Sequence, residues 1–131
     1  MFDLKTKVLV VDDMMTMRKL VSKSLKEIGF TDIVEAADGA KGWEAVTSST
    51  SPIGLIVSDW NMPNSTGIDL LKRIRSEARF KHIPFLLVTA EAEKTQVAEA
   101  VQAGVSGYVV KPFTFDGLKE KLETVHKKLA G

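Results

Sequence analysis

The feature that most constrains this chain is a strict alternation between short apolar runs and longer segments with apolar residues at helical spacing. The runs are rich in Val, Leu and Ile and lack alternating polarity, as expected for strands that are buried on both faces. They are predicted at residues 7–11, 33–36, 54–58, 85–89 and 107–110. Each run is followed by a helical pattern. The order predicts an α/β fold with a five-stranded parallel sheet and helices on both faces.

The helices have recognisable boundaries. Gly29 ends the first helix and Thr114 caps the last. The second is predicted at 40–46, the third from about 67 and the fourth at 94–103. The first helix has the apolar stripe Met17, Leu20, Val21, Leu25 and Ile28, and the last has Phe115, Leu118, Leu122, Val125 and Leu129. We expect Met14, Met15 and Met17 to pack internally. Trp43 is expected in the core, and Trp60 partly exposed because it lies in a polar loop.

Composition excludes several classes of protein. The chain has 131 residues, enough for one domain with a substantial core, and it contains no cysteine for disulfide or thiol chemistry. Its net charge of +1 gives no basic field for nucleic acid or an anionic membrane. No signal peptide is visible, and no apolar stretch approaches the roughly 20 residues of a membrane span. We expect a cytoplasmic, monomeric protein.

Polar side chains follow four of the five predicted strands. Asp12 and Asp13 follow the first, Asp59 the third, Thr89 ends the fourth and Lys111 follows the fifth. Parallel strands bring their carboxyl ends to one edge of a sheet, where open α/β folds bind ligands. Carboxylates gathered there favour a divalent-cation site. Each residue also has an ordinary interpretation: the two acids as a helix cap, Thr89 as a strand end and Lys111 as a loop charge.

Several ungapped motifs resemble the response-regulator receiver domain family and, within it, the single-domain chemotaxis regulators. The resemblance covers nearly the full length. It rests on Val10-Val11-Asp12-Asp13, Thr16-Met17-Arg18, Asp59-Trp60-Asn61-Met62-Pro63-Asn64, Val88-Thr89-Ala90-Glu91-Ala92, Gln102-Ala103-Gly104 and Ser106-Gly107-Tyr108-Val109-Val110-Lys111-Pro112-Phe113. It implies a (βα)5 flavodoxin-like, doubly wound fold with strand order 2-1-3-4-5. We expect one receiver domain over residues 1–131, with its core at about 6–129.

The resemblance also implies a chemistry. Asp59 would accept a phosphoryl group from the phosphohistidine of a sensor histidine kinase. Mg²⁺ would be held by Asp13, Asp59 and the backbone carbonyl of Asn61, with Asp12 acting through water. Lys111 and Thr89 would contact the phosphoryl group. The protein would then be a signalling phosphoacceptor and not an enzyme in the usual sense.

A switch and its partners follow from the same resemblance. Thr89 and Tyr108 would change position on phosphorylation, although Tyr108 could also be an ordinary half-buried aromatic. The altered output face would include Lys94, Val97, Tyr108 and Lys121, and its partner would be a flagellar motor switch protein. Asn61 and Glu91 would tune dephosphorylation, which predicts a short-lived phosphorylated state. A dedicated phosphatase is a further possible partner.

Two other functions use similar residues. One is a phosphorelay intermediate, which would pass the phosphoryl group to a histidine phosphotransfer domain. The other is an aspartyl-phosphate phosphatase of the haloacid-dehalogenase type, whose nucleophile belongs to an Asp-x-Asp motif after the first strand. Asp12-Asp13-Met14 lacks the second spaced acid. No DNA-reading module is visible after the last predicted helix, which disfavours a transcription factor.

Overall fold

The computed structural model describes residues 2–60, 62, 66–89, 94–111 and 114–130, without the side chains of 94–96, 129 and 130. Ten elements alternate along the chain. In order they are β1 (Lys7–Val11), α1 (Met15–Ile28), β2 (Asp32–Ala36), α2 (Gly39–Ser48), β3 (Leu55–Asp59), α3 (Gly67–Ser76), β4 (Phe85–Thr89), α4 (Lys94–Gln102), β5 (Gly107–Val110) and α5 (Phe115–Ala130). The predicted boundaries are therefore correct to within two residues.

The five strands form one parallel sheet in the order β2-β1-β3-β4-β5. The order reverses beside β1, because the chain runs from β1 to one edge and then returns to build the other side. The registers pair Val11 with Ala36 and with Ser58, and Thr89 with Val110. The predicted α/β class, sheet and strand order are confirmed, and the carboxyl ends of β1, β3, β4 and β5 lie next to one another.

Local signals in the sequence account for the helix ends. Gly29 adopts a φ of 128°, a conformation that favours glycine, and its N–H donates to the carbonyl groups of Leu25 and Lys26 at the end of α1. The hydroxyl of Thr114 accepts the N–H of Gly117 at 2.9 Å, which confirms the predicted cap of α5.

The sheet separates two apolar layers. One layer packs α2 and α3 against one face of the sheet, and the other packs α1 and α5 against the opposite face. The largest fully buried side chains are shared between the two layers: Phe30, Phe85, Leu9, Leu25, Leu55, Ile56, Leu70, Leu71, Ile74, Leu86, Leu87 and Leu118. Burial on both faces explains why the strands read as continuous apolar runs. None of the helices in the described part has both the length and the apolar character of a membrane span.

Three apolar residues of the first helical segment were predicted wrongly. Leu20 is 46% exposed, although the periodic pattern put it in the buried stripe. Met14 is 57% and Met15 65% exposed, so these two do not pack internally as expected. The apolar contact of α1 with the sheet is made by Val21 and Leu25, and Ser22 and Ser24 are buried beside them. Met14 and Met15, at the start of this segment, lie outside that contact and reach solvent.

Candidate functional site

The acids predicted from the strand ends lie together in the structure. Asp59 is the last residue of β3, and Asp12 and Asp13 directly follow β1, its neighbour in the sheet. Each of the three offers a carboxylate oxygen, and these oxygens all lie within 4.8 Å of one another. Residues 47 positions apart in sequence are therefore joined by the pairing of β1 with β3. The fold thus creates a compact carboxylate cluster at one edge of the sheet.

The cluster is electrostatically strained. Asp12 is 2% and Asp59 7% exposed, whereas Asp13 faces solvent. Burial raises the pKa of the Asp59 carboxyl above its ordinary value, and the charge of Asp13 raises it further. Burial also raises the pKa of Asp12, with a smaller contribution from the charge of Asp59. Both pKa values therefore move in the direction that disfavours the charged forms.

Lys111 partly compensates this negative charge. Its Nζ donates to Asp59 Oδ1 at 2.9 Å and lies 3.9 Å from Asp12 Oδ2. The backbone N–H of Lys111 donates to the carbonyl of Thr89 at 2.7 Å, so the end of β4 and the lysine are held side by side. Thr89 itself is buried at the end of β4. Among the described residues, one cation faces three carboxylates, which leaves a surplus of negative charge.

The donor set fits a hard divalent cation. Carboxylate oxygens are the ligands that Mg²⁺ and Ca²⁺ prefer, and Mg²⁺ is commonly held by one or two carboxylates together with water and phosphate oxygens. The three acids are close enough to share one ion. A cation would also favour the charged forms of Asp12 and Asp59, whose pKa values are raised by burial and, to a smaller extent, by the neighbouring carboxylates. The chemistry of the described residues is therefore that of a magnesium-type site.

The two acids after β1 do not act as an ordinary helix cap. The N-cap of α1 is Met14, and it makes no side-chain cap bond. Asp12 Oδ1 instead accepts the N–H of Met14 at 2.9 Å, while the Asp12 N–H donates to the carbonyl of Ala36 in β2 at 3.1 Å. These contacts fix the loop between β1 and α1, so the cap interpretation left open by the sequence does not describe this site.

Trp60 was predicted to be partly exposed, and this prediction is wrong. Its side chain is buried in the core cluster with Met62 and Ile68. The Trp60 N–H donates to Val88 O at 2.9 Å and its carbonyl accepts the N–H of Gly67 at 2.9 Å, which turns the chain back towards the core. The prediction relied on the polar residues that surround Trp60 in the sequence, and these do not determine its burial.

Gly67 has a structural role that was not predicted from the sequence. A Cβ added there would collide with the backbone carbonyl oxygen of Asp59 and lie 2.9 Å from a methyl group of Leu87. Only glycine allows the start of α3 to approach Asp59 this closely. A glycine three residues after the motif of residues 59–64 was the available signal, but the sequence predicts only a helix start there.

The predicted output residues are distributed over α4, β5 and α5. Tyr108 is half-buried against the core, and Lys121 Nζ lies 5.3 Å from the centroid of its ring. Val97 is partly buried on α4, and Lys94 is the first residue of that helix. Two exposed apolar residues of the same region, Val101 and Val110, were not predicted. The predicted tuning residues Asn61 and Glu91 lie outside the described residues.

Comparisons with known proteins agree with this geometry. A family model described as "Response regulator receiver domain" matches residues 8–123. The chain is 49% identical over 125 residues to the chemotaxis protein CheY of Pseudomonas aeruginosa, covering 95% of this chain and 99% of that protein. It is 45% identical over 119 residues to chemotaxis protein CheY1 of Helicobacter pylori, covering 91% and 95% respectively. The solved structure of chemotaxis protein CheY4 of Vibrio cholerae matches with a TM-score of 0.84 at 33% identity, covering 92% of this chain and 98% of that one. The chain therefore belongs to the response regulator receiver domain family and is a CheY-like, chemotaxis-type member of it.

Proposed function

We propose that this receiver accepts a phosphoryl group on Asp59 from the phosphohistidine of a sensor histidine kinase. The observation that supports this most directly is the geometry around Asp59. Its carboxylate is nearly buried and accepts a hydrogen bond from Lys111 Nζ at 2.9 Å. One of its oxygens lies within 4.8 Å of carboxylate oxygens of Asp12 and Asp13. A nucleophilic carboxylate beside a fixed cation and a metal-binding acid pair suits phosphoryl transfer, in which positioning and charge neutralisation supply most of the catalysis.

The transfer step involves two bonds. An oxygen of Asp59 forms a bond to phosphorus while the bond from phosphorus to the donor imidazole nitrogen breaks, and that nitrogen keeps the electron pair. Lys111 would move from the carboxylate to the oxygens of the transferred group, and the hydroxyl of Thr89 would donate to them. Mg²⁺, held by Asp13, Asp59 and the carbonyl of Asn61, with Asp12 acting through water, would supply further charge neutralisation.

The exposed methionines at the start of α1 support a protein as the donor. Met14 and Met15 are both more than half exposed, and they adjoin Asp12 and Asp13 in sequence. Exposed apolar groups beside a functional site are typical of protein interaction surfaces. We infer that the histidine-bearing domain of the kinase contacts these side chains while its phosphohistidine reaches Asp59.

The phosphoryl group would bias an existing equilibrium between two conformations. Charge-assisted bonds to Thr89 and Lys111 would favour one of them. Tyr108 would follow Thr89, since β4 and β5 are paired along this stretch, with Val110 opposite Thr89 and Tyr108 opposite Leu87. The output face of Lys94, Val97, Tyr108 and Lys121 would then bind a flagellar motor switch protein in the cytoplasm. Asn61 and Glu91 would set the rate at which water removes the phosphoryl group, with or without a phosphatase.

The test is labelling with a small donor. Purified protein is mixed with acetyl phosphate, with Mg²⁺ or with EDTA, and its intact mass is followed over time. We expect a gain of one phosphoryl group that requires Mg²⁺ and is lost in Asp59→Asn. Asp32→Asn removes an exposed acid at the start of β2 and serves as the control, since it should label normally.

Other outcomes would redirect the proposal. Absence of label under every metal condition would refute Asp59 as the acceptor. Steady turnover of a model phosphate ester would indicate a phosphatase instead. Transfer of the label to a histidine phosphotransfer domain, with no binding to a motor switch protein, would favour the phosphorelay intermediate.

A further inference from the structure

Arg18 lies in the first turns of α1 and reaches back to the loop that carries the acid pair. Its Nη1 donates to the carbonyl oxygen of Asp12 at 2.8 Å, and its Nε donates to Glu35 Oε1 at 3.0 Å. The side chain is mostly buried. The guanidinium therefore makes two directed bonds in one plane, one to the backbone of the site and one to an acid on β2.

The carbonyl that Arg18 holds has a special position. It belongs to the peptide group between Asp12 and Asp13. Because a peptide group is planar, fixing the oxygen also fixes the positions of the N–H and Cα of Asp13. Asp13 is exposed, and within the described part of the chain its side chain makes no hydrogen bond or ion pair. The backbone therefore sets the direction in which its Cα–Cβ bond points.

Glu35 holds Arg18 in place and ties it to the sheet. Burial tends to raise the pKa of Glu35, but hydrogen bonds from Lys19 and Arg18 outweigh it and lower the pKa, which keeps the carboxylate charged. Glu35 precedes Ala36, whose carbonyl accepts the N–H of Asp12 at 3.1 Å. Two adjacent residues of β2 thus fix the backbone of Asp12. Ala36 accepts its N–H directly, and Glu35 holds its carbonyl oxygen through Arg18.

We propose that Arg18, oriented by Glu35, is a positioning residue that holds the peptide between Asp12 and Asp13 in the conformation that binds the divalent cation. The inference rests on the proposed metal site. It makes a prediction opposite to simple electrostatics. Removing a cation from beside a metal site should tighten metal binding if only charge matters, whereas removing Arg18 should weaken it if the guanidinium orients the ligands.

The test is calorimetric titration of the metal-free protein with Mg²⁺ at fixed ionic strength. We expect Arg18→Gln to weaken Mg²⁺ binding by about ten-fold, the lower range for loss of a group that orients a ligand. Arg18→Lys keeps the charge but not the planar fork, so it should also weaken binding. Lys19→Gln is the matched control: Lys19 bonds to Glu35 at 3.0 Å but is largely exposed. It should change the affinity by less than about two-fold.

A double-mutant cycle separates positioning from charge. Glu35→Gln should weaken Mg²⁺ binding in the wild-type background but have little further effect in Arg18→Gln, because Glu35 acts through Arg18. Independent electrostatic effects would instead add. Urea denaturation in EDTA identifies any variant that is not folded, in which case Arg18→Lys and Glu35→Gln carry the test. Mg²⁺ binding by folded Arg18→Gln as tight as, or tighter than, wild type overturns the inference. Failure of the wild type to bind Mg²⁺ refutes the metal site itself.

Discussion

Asp13→Asn should stabilise the metal-free protein, although Asp13 is a predicted metal ligand. Its carboxylate oxygen lies within 4.8 Å of those of Asp12 and Asp59. Two unit charges at 4.8 Å repel by about 3.5 kcal/mol at an effective dielectric constant of 20 and by about 0.9 kcal/mol in water. Because Asp13 faces solvent, the lower value applies. Relief of two such repulsions gives an expected gain of roughly 1–2 kcal/mol in the free energy of unfolding.

The assay is urea denaturation in EDTA and again in saturating Mg²⁺. In EDTA the variant should be more stable than wild type, and added salt should reduce the difference by screening. In Mg²⁺ the order should reverse. A ligand at 100 times its dissociation constant stabilises the folded state by about 2.7 kcal/mol, and the variant has lost part of the site that binds it. Asp32→Asn, which removes an exposed acid outside the cluster, should remain within about 0.5 kcal/mol of wild type in both conditions.

Acidification supplies an independent check. Burial raises the pKa values of Asp12 and Asp59 above the ordinary value of 3.8, so the folded state holds their protons more tightly than the unfolded state. Their unfavourable contribution to stability is therefore fully present above the raised pKa values and disappears as the pH falls towards 3.8. The advantage of Asp13→Asn in EDTA should shrink over the same range. A variant no more stable than wild type in EDTA at neutral pH and low salt would refute the repulsion argument.

Three further substitutions test other parts of the structure. Gly67→Ala should destabilise the protein by about 1–3 kcal/mol, since its Cβ would collide with the Asp59 carbonyl oxygen. Slower labelling by acetyl phosphate should accompany the loss, and an unchanged urea midpoint would contradict the contact. Ser22→Ala should stabilise by about 1 kcal/mol, because the buried Ser22 hydroxyl has no hydrogen-bond partner in the described part of the chain. A lower urea midpoint would show that the hydroxyl is satisfied in solution. Lys111→Arg should impair signalling while preserving charge, since a planar fork does not reproduce the ammonium contact with Asp59; wild-type binding of the output partner after labelling would count against that contact.

The strands were predictable because their environment is uniform. A parallel strand covered on both faces needs no polar residues. β1, β3 and β4 are therefore predominantly apolar runs that end at the edge of the sheet where the carboxylate cluster lies. The end of α1 at Gly29 and the cap of α5 at Thr114 were equally predictable, because both depend only on the local backbone. The strand order came from resemblance. Once it is given, the meeting of Asp59 with Lys111, which are 52 residues apart, follows from the register of β3, β4 and β5.

The wrong predictions concern side chains whose burial depends on distant contacts. Leu20 is separated from Val21 by about 100° around the helix, enough to take it off the face that meets the sheet. Trp60 has polar neighbours but is drawn inward by backbone bonds to Val88 and Gly67. Arg18 was visible in a motif, but its role depends on Glu35, which lies on a different strand. No local pattern contains this information.

The charge of the carboxylate cluster links the stability of the protein to its proposed function. Three carboxylates and one ammonium among the described residues give the site a charge of −2, in a chain whose net charge is +1. Conversion of the Asp59 carboxylate to an acyl phosphate would add about one further negative charge, because the carboxylate loses its own charge and the phosphoryl group carries close to two at neutral pH. Without a divalent cation the reaction would therefore increase a repulsion that already destabilises the folded protein. With the cation bound, the local charge is near zero before transfer, and Lys111 remains to meet the charge that transfer adds. Labelling is expected to depend on Mg²⁺, and the metal-free carboxylate cluster is expected to destabilise the fold. Both expectations have one physical cause, so a protein that shows no Mg²⁺ dependence of labelling should also show no such instability.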